Sequence, residues 1–180
     1  LTFGYFLFNL VSELLSLVTK LIIMPIELDT LLKEEYFHLQ SVIEDFDSKT
    51  ITIKTWSVTG SLVVIGAGFS EKGSTELFIV AAVASLLFWV IESNWKSFQL
   101  SYYARIKAIE TYFADPTGAP IHPLQIYKAW GLSWKNYHKG KLLAVMLWPN
   151  VFLPHMVIVL GGIILYLLTE FGVILSQSQG

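Results

Sequence analysis

The sequence predicts an all-α, polytopic helical membrane protein with about four transmembrane helices and cytoplasmic helical extensions. Composition points there first: 54% of residues are hydrophobic, only 14% are charged, and mean hydropathy is +0.58. A soluble surface carries about a quarter charged residues, so much of this surface must face something other than water. The second observation is four apolar stretches, each near the roughly 20 residues that cross a bilayer as a helix. The third is the distribution of Lys and Arg, which separates one side of the predicted membrane from the other.

The first predicted span covers residues 3–26. Asn9, Glu13, Ser16 and Lys20 recur at steps of four, three and four, so one helical face is polar. That stripe also permits a helix lying in the interface, which would leave three spans and move the N-terminus inside. Pro25 is expected to bend or end the helix. The stretch lacks a basic n-region and an A-x-A-like site, so it does not read as a signal peptide.

Residues 29–49 read as a cytoplasmic helix that Asp29 or Thr30 can cap. Leu32, Tyr36, Leu39, Ile43 and Phe46 form an apolar stripe suited to packing on protein. The second span is predicted over 50–69. It contains one charge, Lys54, and a small-residue stripe of Ser57, Ser61 and Gly68 for close helix approach. A short polar loop leads to the third span, 76–92, where Ala81 and Ser85 are expected to face that stripe.

No breaker follows the third span, and the apolar pattern continues through Trp95, Phe98, Tyr102, Ile106, Ile109 and Phe113. One helix from Glu76 to Phe113 is therefore expected, ending at the Pro- and Gly-rich run from Asp115 to Pro123. A short helix over 124–138, with Tyr127, Trp130, Trp134 and Tyr137 among lysines, suits the headgroups of the inner leaflet. The fourth span is predicted over 142–168, broken by Pro149 and Pro154. Residues 93–141 are then cytoplasmic, and the chain is one membrane domain.

Ten of the twelve Lys and Arg lie in or beside the segments placed inside. The positive-inside rule then predicts a multi-pass membrane protein with both termini outside.

Three groups of residues are candidates for function. Glu92, Lys96 and Arg105 share a polar face of the long helix, where they could dock a partner or contact the acidic helix 29–47; the intramolecular contact is the default. Asn9, Glu13, Ser16 and Lys20 could line a pore if several copies gathered around an axis. Asn150 and His155, which follow Pro149 and Pro154 in the last span, could satisfy freed backbone groups or act as a switch.

The absence of cysteine excludes disulfides and thiolate metal sites. The four histidines share no metal-ligand spacing, and no P-loop, HExxH, GxSxG or GxGxxG occurs. No metal, cofactor or enzymatic activity is expected. A net charge of −2 gives no reason to expect nucleic acid. The expected partners are the lipid bilayer, further copies of the chain and a cytoplasmic protein.

From Tyr36 to Leu168 the chain resembles a group of small bacterial membrane proteins without an assigned activity. The segments 39–43 (LQSVI), 45–47 (DFD), 53–57 (IKTWS), 87–92 (LFWVIE), 95–99 (WKSFQ), 148–150 (WPN) and 153–155 (LPH) carry the likeness. In layout, residues Asp29 to Phe113 also resemble SLATT-type membrane effectors of bacterial conflict (anti-phage) systems, which pair a membrane hairpin with flanking cytoplasmic helices. The resemblance implies a homo-oligomeric membrane subunit of a sensing or defence assembly, or a pore.

Overall fold

A computed structural model describes residues 2–118 and 120–172; the side chains of 2–8, 21–26 and 137–140 lie outside the description. The described chain is all-α, with four helices: α1 (Thr2–Gly68), α2 (Glu76–Ala114), α3 (Ile126–Met146) and α4 (Pro149–Glu170). Three helical stretches are long and apolar enough to cross a membrane, namely Glu27–Gly68, Glu76–Ala114 and Pro149–Glu170. This is the arrangement of a multi-pass membrane protein. Large apolar side chains such as Trp56, Val63, Leu87 and Val157 are exposed on these stretches, as lipid contact requires.

Helix α1 differs from its sequence reading. Its 67 residues are one uninterrupted helix about 100 Å long. Pro25 does not end it, Asp29 and Thr30 sit inside it rather than capping a start, and nothing breaks it between Asp47 and Thr50. A proline removes one helical hydrogen bond, whereas the flanking turns here continue on both sides. The predicted span over 3–26 falls partly outside the described side chains. Its described portion, residues 9–20, is exposed at every position.

Helix α2 is continuous from Glu76 to Ala114, as its unbroken apolar pattern requires, and α1, α3 and α4 all pack on it. At the end of the hairpin remote from the loop between Gly68 and Glu76, Leu32, Leu39 and Ile43 of α1 close a core with Ile106 and Ile109 of α2. The stripe from residues 29–47 is thereby buried on protein, as its periodicity predicts. Within the apolar layer, Ser57 and Ser61 lie against Ser85 and Ala81, with Ser61 Oγ donating to the Ala81 carbonyl at 3.4 Å. Gly68 admits the Phe78 ring, and Gly162 of α4 lets the Phe78 carbonyl and Ala82 approach.

Helix α3 runs back along α2. Trp130 and Trp134 stack on Phe98, and the Trp89 indole donates to the Met146 carbonyl at 3.0 Å. Trp130 and Trp134 thus pack against α2 and stay partly exposed. The predicted fourth span is corrected as well. Residues 142–146 belong to α3, the chain turns at Leu147 and Trp148, and α4 begins with Pro149 at its first position. Proline is preorganised for that place, and the extended backbone of Trp148 is what a following proline demands. Pro154 lies inside α4 without breaking it.

A β-carbon at Gly162 would stand 2.5 Å from the Phe78 carbonyl, while one at Gly161 meets nothing within 4 Å. Gly162→Val is therefore expected to push α4 off α2 and destabilise by about 1–3 kcal/mol. Gly161→Val should leave the unfolding midpoint in detergent close to wild type. Equal midpoints for the two variants would contradict this packing.

Candidate functional site

The α1–α2 hairpin holds two buried carboxylates, each compensated by residues from other elements. A carboxylate removed from water requires a cation or several donors, so each fixes the elements around it.

The first is Glu92 of α2, fully buried in the apolar layer. The Lys54 ammonium of α1 lies 3.1 Å from its Oε1, and His155 Nε2 of α4 lies 2.9 Å from its Oε2. Lys54 approaches Oε1 outside hydrogen-bonding geometry, so it neutralises the carboxylate without donating to it. On the other side of the ring, His155 Nδ1 is 2.9 Å from the Ser57 hydroxyl, which is 3.3 Å from Ser85 Oγ. Ser85 also donates to the His155 carbonyl at 3.3 Å.

This geometry assigns the tautomer of a neutral His155: Nε2–H donates to Glu92, and Nδ1 accepts from Ser57. A doubly protonated ring would need Ser57 to turn and accept, passing its own proton toward Ser85. Hydroxyl rotation alone accommodates both forms. Lys54 and Glu92 cancel in charge. Lys54 is a quarter exposed and is the member able to reach water by snorkelling.

The second carboxylate is Glu35 of α1, in the half of the hairpin beyond the apolar layer. Arg105 of α2 donates to it bidentately, Nε to Oε1 at 2.7 Å and Nη2 to Oε2 at 2.9 Å. The Leu124 amide adds a bond to Oε2 at 2.8 Å, and Arg105 Nη2 also donates to the His122 carbonyl at 2.7 Å. Leu124 has φ of +60°, a conformation that costs an L-residue roughly 1–2 kcal/mol. The bond to Glu35 holds it there. Helix α1, helix α2 and the loop before α3 thus meet at one fork-shaped contact.

Between these levels, Lys96 Nζ donates to Asp47 Oδ1 at 3.1 Å. Partial burial raises the Asp47 pKa, but the Gln99 amide and the Lys96 ammonium outweigh it and hold the carboxyl below its ordinary value. This pair therefore contributes stability above the usual carboxylate range and loses it as pH falls through the lowered value. Asp47 is half exposed, so its contribution is small. Lys49 similarly faces Asp45 at 3.8 Å. These contacts account for the acidic stretch around Asp47, which is not a helix end.

The three docking candidates are accordingly corrected. Glu92 and Arg105 are buried, Lys96 is paired with Asp47, and all three join helices of the same chain. The intramolecular alternative for that face is the one the structure holds. Of the two switch candidates, His155 is buried at the first carboxylate while Asn150 is exposed outside it. Asn9, Glu13, Ser16 and Lys20 lie together along the exposed arm of α1. Sequence reasoning missed Glu35 and read Lys54 only as the one charge within the second span. Glu35 falls on the apolar face between Leu32 and Leu39, and Lys54 is a lone charge in an apolar stretch, but their partners are 70 and 38 residues away in the chain. No group of three or more His, Asp or Glu among the described residues could hold a metal ion.

No family model, no curated protein and no solved structure matches the chain.

Arg105→Met is expected to destabilise the protein by roughly 3–5 kcal/mol, because it leaves Glu35 buried without a cation. Adding Glu35→Leu should restore much of that loss in a denaturation series. A double variant no more stable than the single would show that the pair is not the source. At the other level, Glu92→Ala should lower the unfolding midpoint in detergent more than Glu92→Gln, whose amide still accepts from His155. The reverse order would refute the assigned hydrogen bond.

Proposed function

We propose that this chain is an oligomeric inner-membrane subunit of a sensing or defence assembly, whose cytoplasmic hairpin carries a signal to the membrane along α2. The observation that carries this reading is the unbroken α2 itself. It holds the Arg105 fork and, thirteen residues or about 20 Å away, the Glu92 contact with α1 and α4. A shift of α1 or of the loop at Arg105 is thereby transmitted to a buried polar contact between three helices, an element able to hold two arrangements. The SLATT-like order of elements from Asp29 to Phe113 supports defence as the setting.

The arm of α1 supports the oligomer. Leu10, Leu14 and Leu17 share one exposed face with Val11, Leu15 and Val18. The opposite face carries Asn9, Ser12, Glu13, Ser16, Thr19 and Lys20. One Lys and one Glu on that polar face make a poor match for anionic lipid, whose interfacial helices are rich in Lys and Arg. Leucines at steps of four and three suit association with the same arm of further copies. In a three-crossing topology the arm lies on the cytoplasmic side with the hairpin, since about 45 Å of helix separates Lys20 from residues 51–68. Four crossings would require the chain to fold back before Leu28.

A pore lined by Asn9, Glu13, Ser16 and Lys20 is the second reading, favoured by their alignment along one exposed face. The two separate in one preparation. Native mass measurement of the full chain in nanodiscs should show an oligomer, and Leu14→Lys with Leu17→Lys should reduce it to monomer. Unchanged particle mass would count against association through the arm. Ion flux through liposomes that changes in a Glu13→Ala, Lys20→Ala variant would instead place the pore first.

A further inference from the structure

Helix α2 beyond Arg105 and the first half of α3 diverge around the proline-rich turn and leave a cleft of about 610 Å³. Sites for small molecules span roughly 300–1,000 Å³. Its walls combine an apolar surface with charge. Ala104 and Ala108 of α2, Ala129 of α3 and Ile121 of the turn supply the apolar part. Each helix also contributes one exposed lysine, Lys107 and Lys128. Neither forms an ion pair with the described residues. Arg105 lies in the same wall, but Glu35 already compensates it. One carboxylate, Asp115, stands in the lining. The Thr117 hydroxyl and amide donate to its Oδ1 and hold its carboxyl below the usual range, which leaves its other oxygen open to a donor. The two lysines therefore exceed the single acid.

We propose that this cleft binds a soluble organic phosphate of about mononucleotide size. Lys107 and Lys128 hold the phosphate as point charges. The alanine and Ile121 surface takes a flat apolar body, and the free oxygen of Asp115 accepts from a hydroxyl of the ligand. A lipid headgroup does not fit the position, because the cleft lies about 20 Å along α2 from the buried Glu92 contact, on the side away from the apolar layer. The proposal deepens the sensing reading by naming the signal: a ligand here joins α2 to α3 beside the Arg105 fork. Binding itself is measured without reference to assembly, so the site can stand where that reading fails.

The test is calorimetric titration of the full chain in zwitterionic nanodiscs with ATP, AMP and inorganic pyrophosphate. Saturable binding of ATP or AMP is expected, stronger than that of pyrophosphate, which lacks the apolar body. A Lys107→Glu, Lys128→Glu variant should weaken it by at least about tenfold. Ala108→Trp, which fills the cleft without changing charge, should weaken it comparably. The unfolding midpoint of each variant, measured alongside, should stay at the wild-type value, since all three positions are exposed. Absence of saturable nucleotide binding at millimolar concentration would overturn the proposal. So would binding that the charge reversal abolishes and Ala108→Trp leaves intact, which is general attraction to a basic surface.

Discussion

A carboxylate withdrawn from water must be compensated by a cation or by donors, and Glu92 and Glu35 impose that demand at two levels of one helical hairpin. Glu92 can be buried only where Lys54 of α1 and His155 of α4 both reach α2. Glu35 can be buried only where Arg105 and the Leu124 amide converge. These requirements set the register of α1 on α2, because sliding either helix by one turn would strand a charge. Breaking such a contact from one side costs far more than its presence contributes. The pairs therefore act chiefly to specify one packing.

Small residues make that packing close enough for the polar groups to meet. Ser57, Ser61 and Ser85 let α1 and α2 approach while offering hydroxyls, and Gly162 lets α4 approach α2 at Phe78 and Ala82. In lipid no hydrophobic force draws helices together, so close contact and hydrogen bonds must do so. The position of His155 between Glu92 and Ser57 follows from this closeness. Outside the apolar layer the logic changes: Leu32, Leu39, Ile43, Ile106 and Ile109 close a conventional core, and Trp130 and Trp134 stack on Phe98. One pair of helices thus serves two solvents with two kinds of interior.

The same division governs what remains open for function. The residues that read as a docking surface are occupied within the chain, and the exposed features lie elsewhere. They are the amphipathic arm of α1 and the lysine-bearing cleft between α2 and α3. Both lie beyond the apolar layer, and both connect to it through continuous helix.

Composition and period alone determined the helical class, the apolar stretches around residues 50–69 and 76–92, the unbroken α2 and the buried stripe of 29–47. Each rests on local signals, namely hydropathy over a window and spacing along one helix. The serine and glycine stripe was legible for the same reason, since small residues at helical spacing mark a close approach whatever the partner. The remaining features depended on contacts distant in sequence. Pro25 reads locally as a stop, yet the helix continues. Trp130 and Trp134 carry the composition of a membrane-surface helix, and the sequence does not display the Phe98 ring on which they stack. Glu92, Lys96 and Arg105 look like a solvated polar face because a sequence does not display Lys54, Asp47 and Glu35 opposite them. A charge is exposed or paired according to what the fold brings within about 4 Å, and only the tertiary structure decides that.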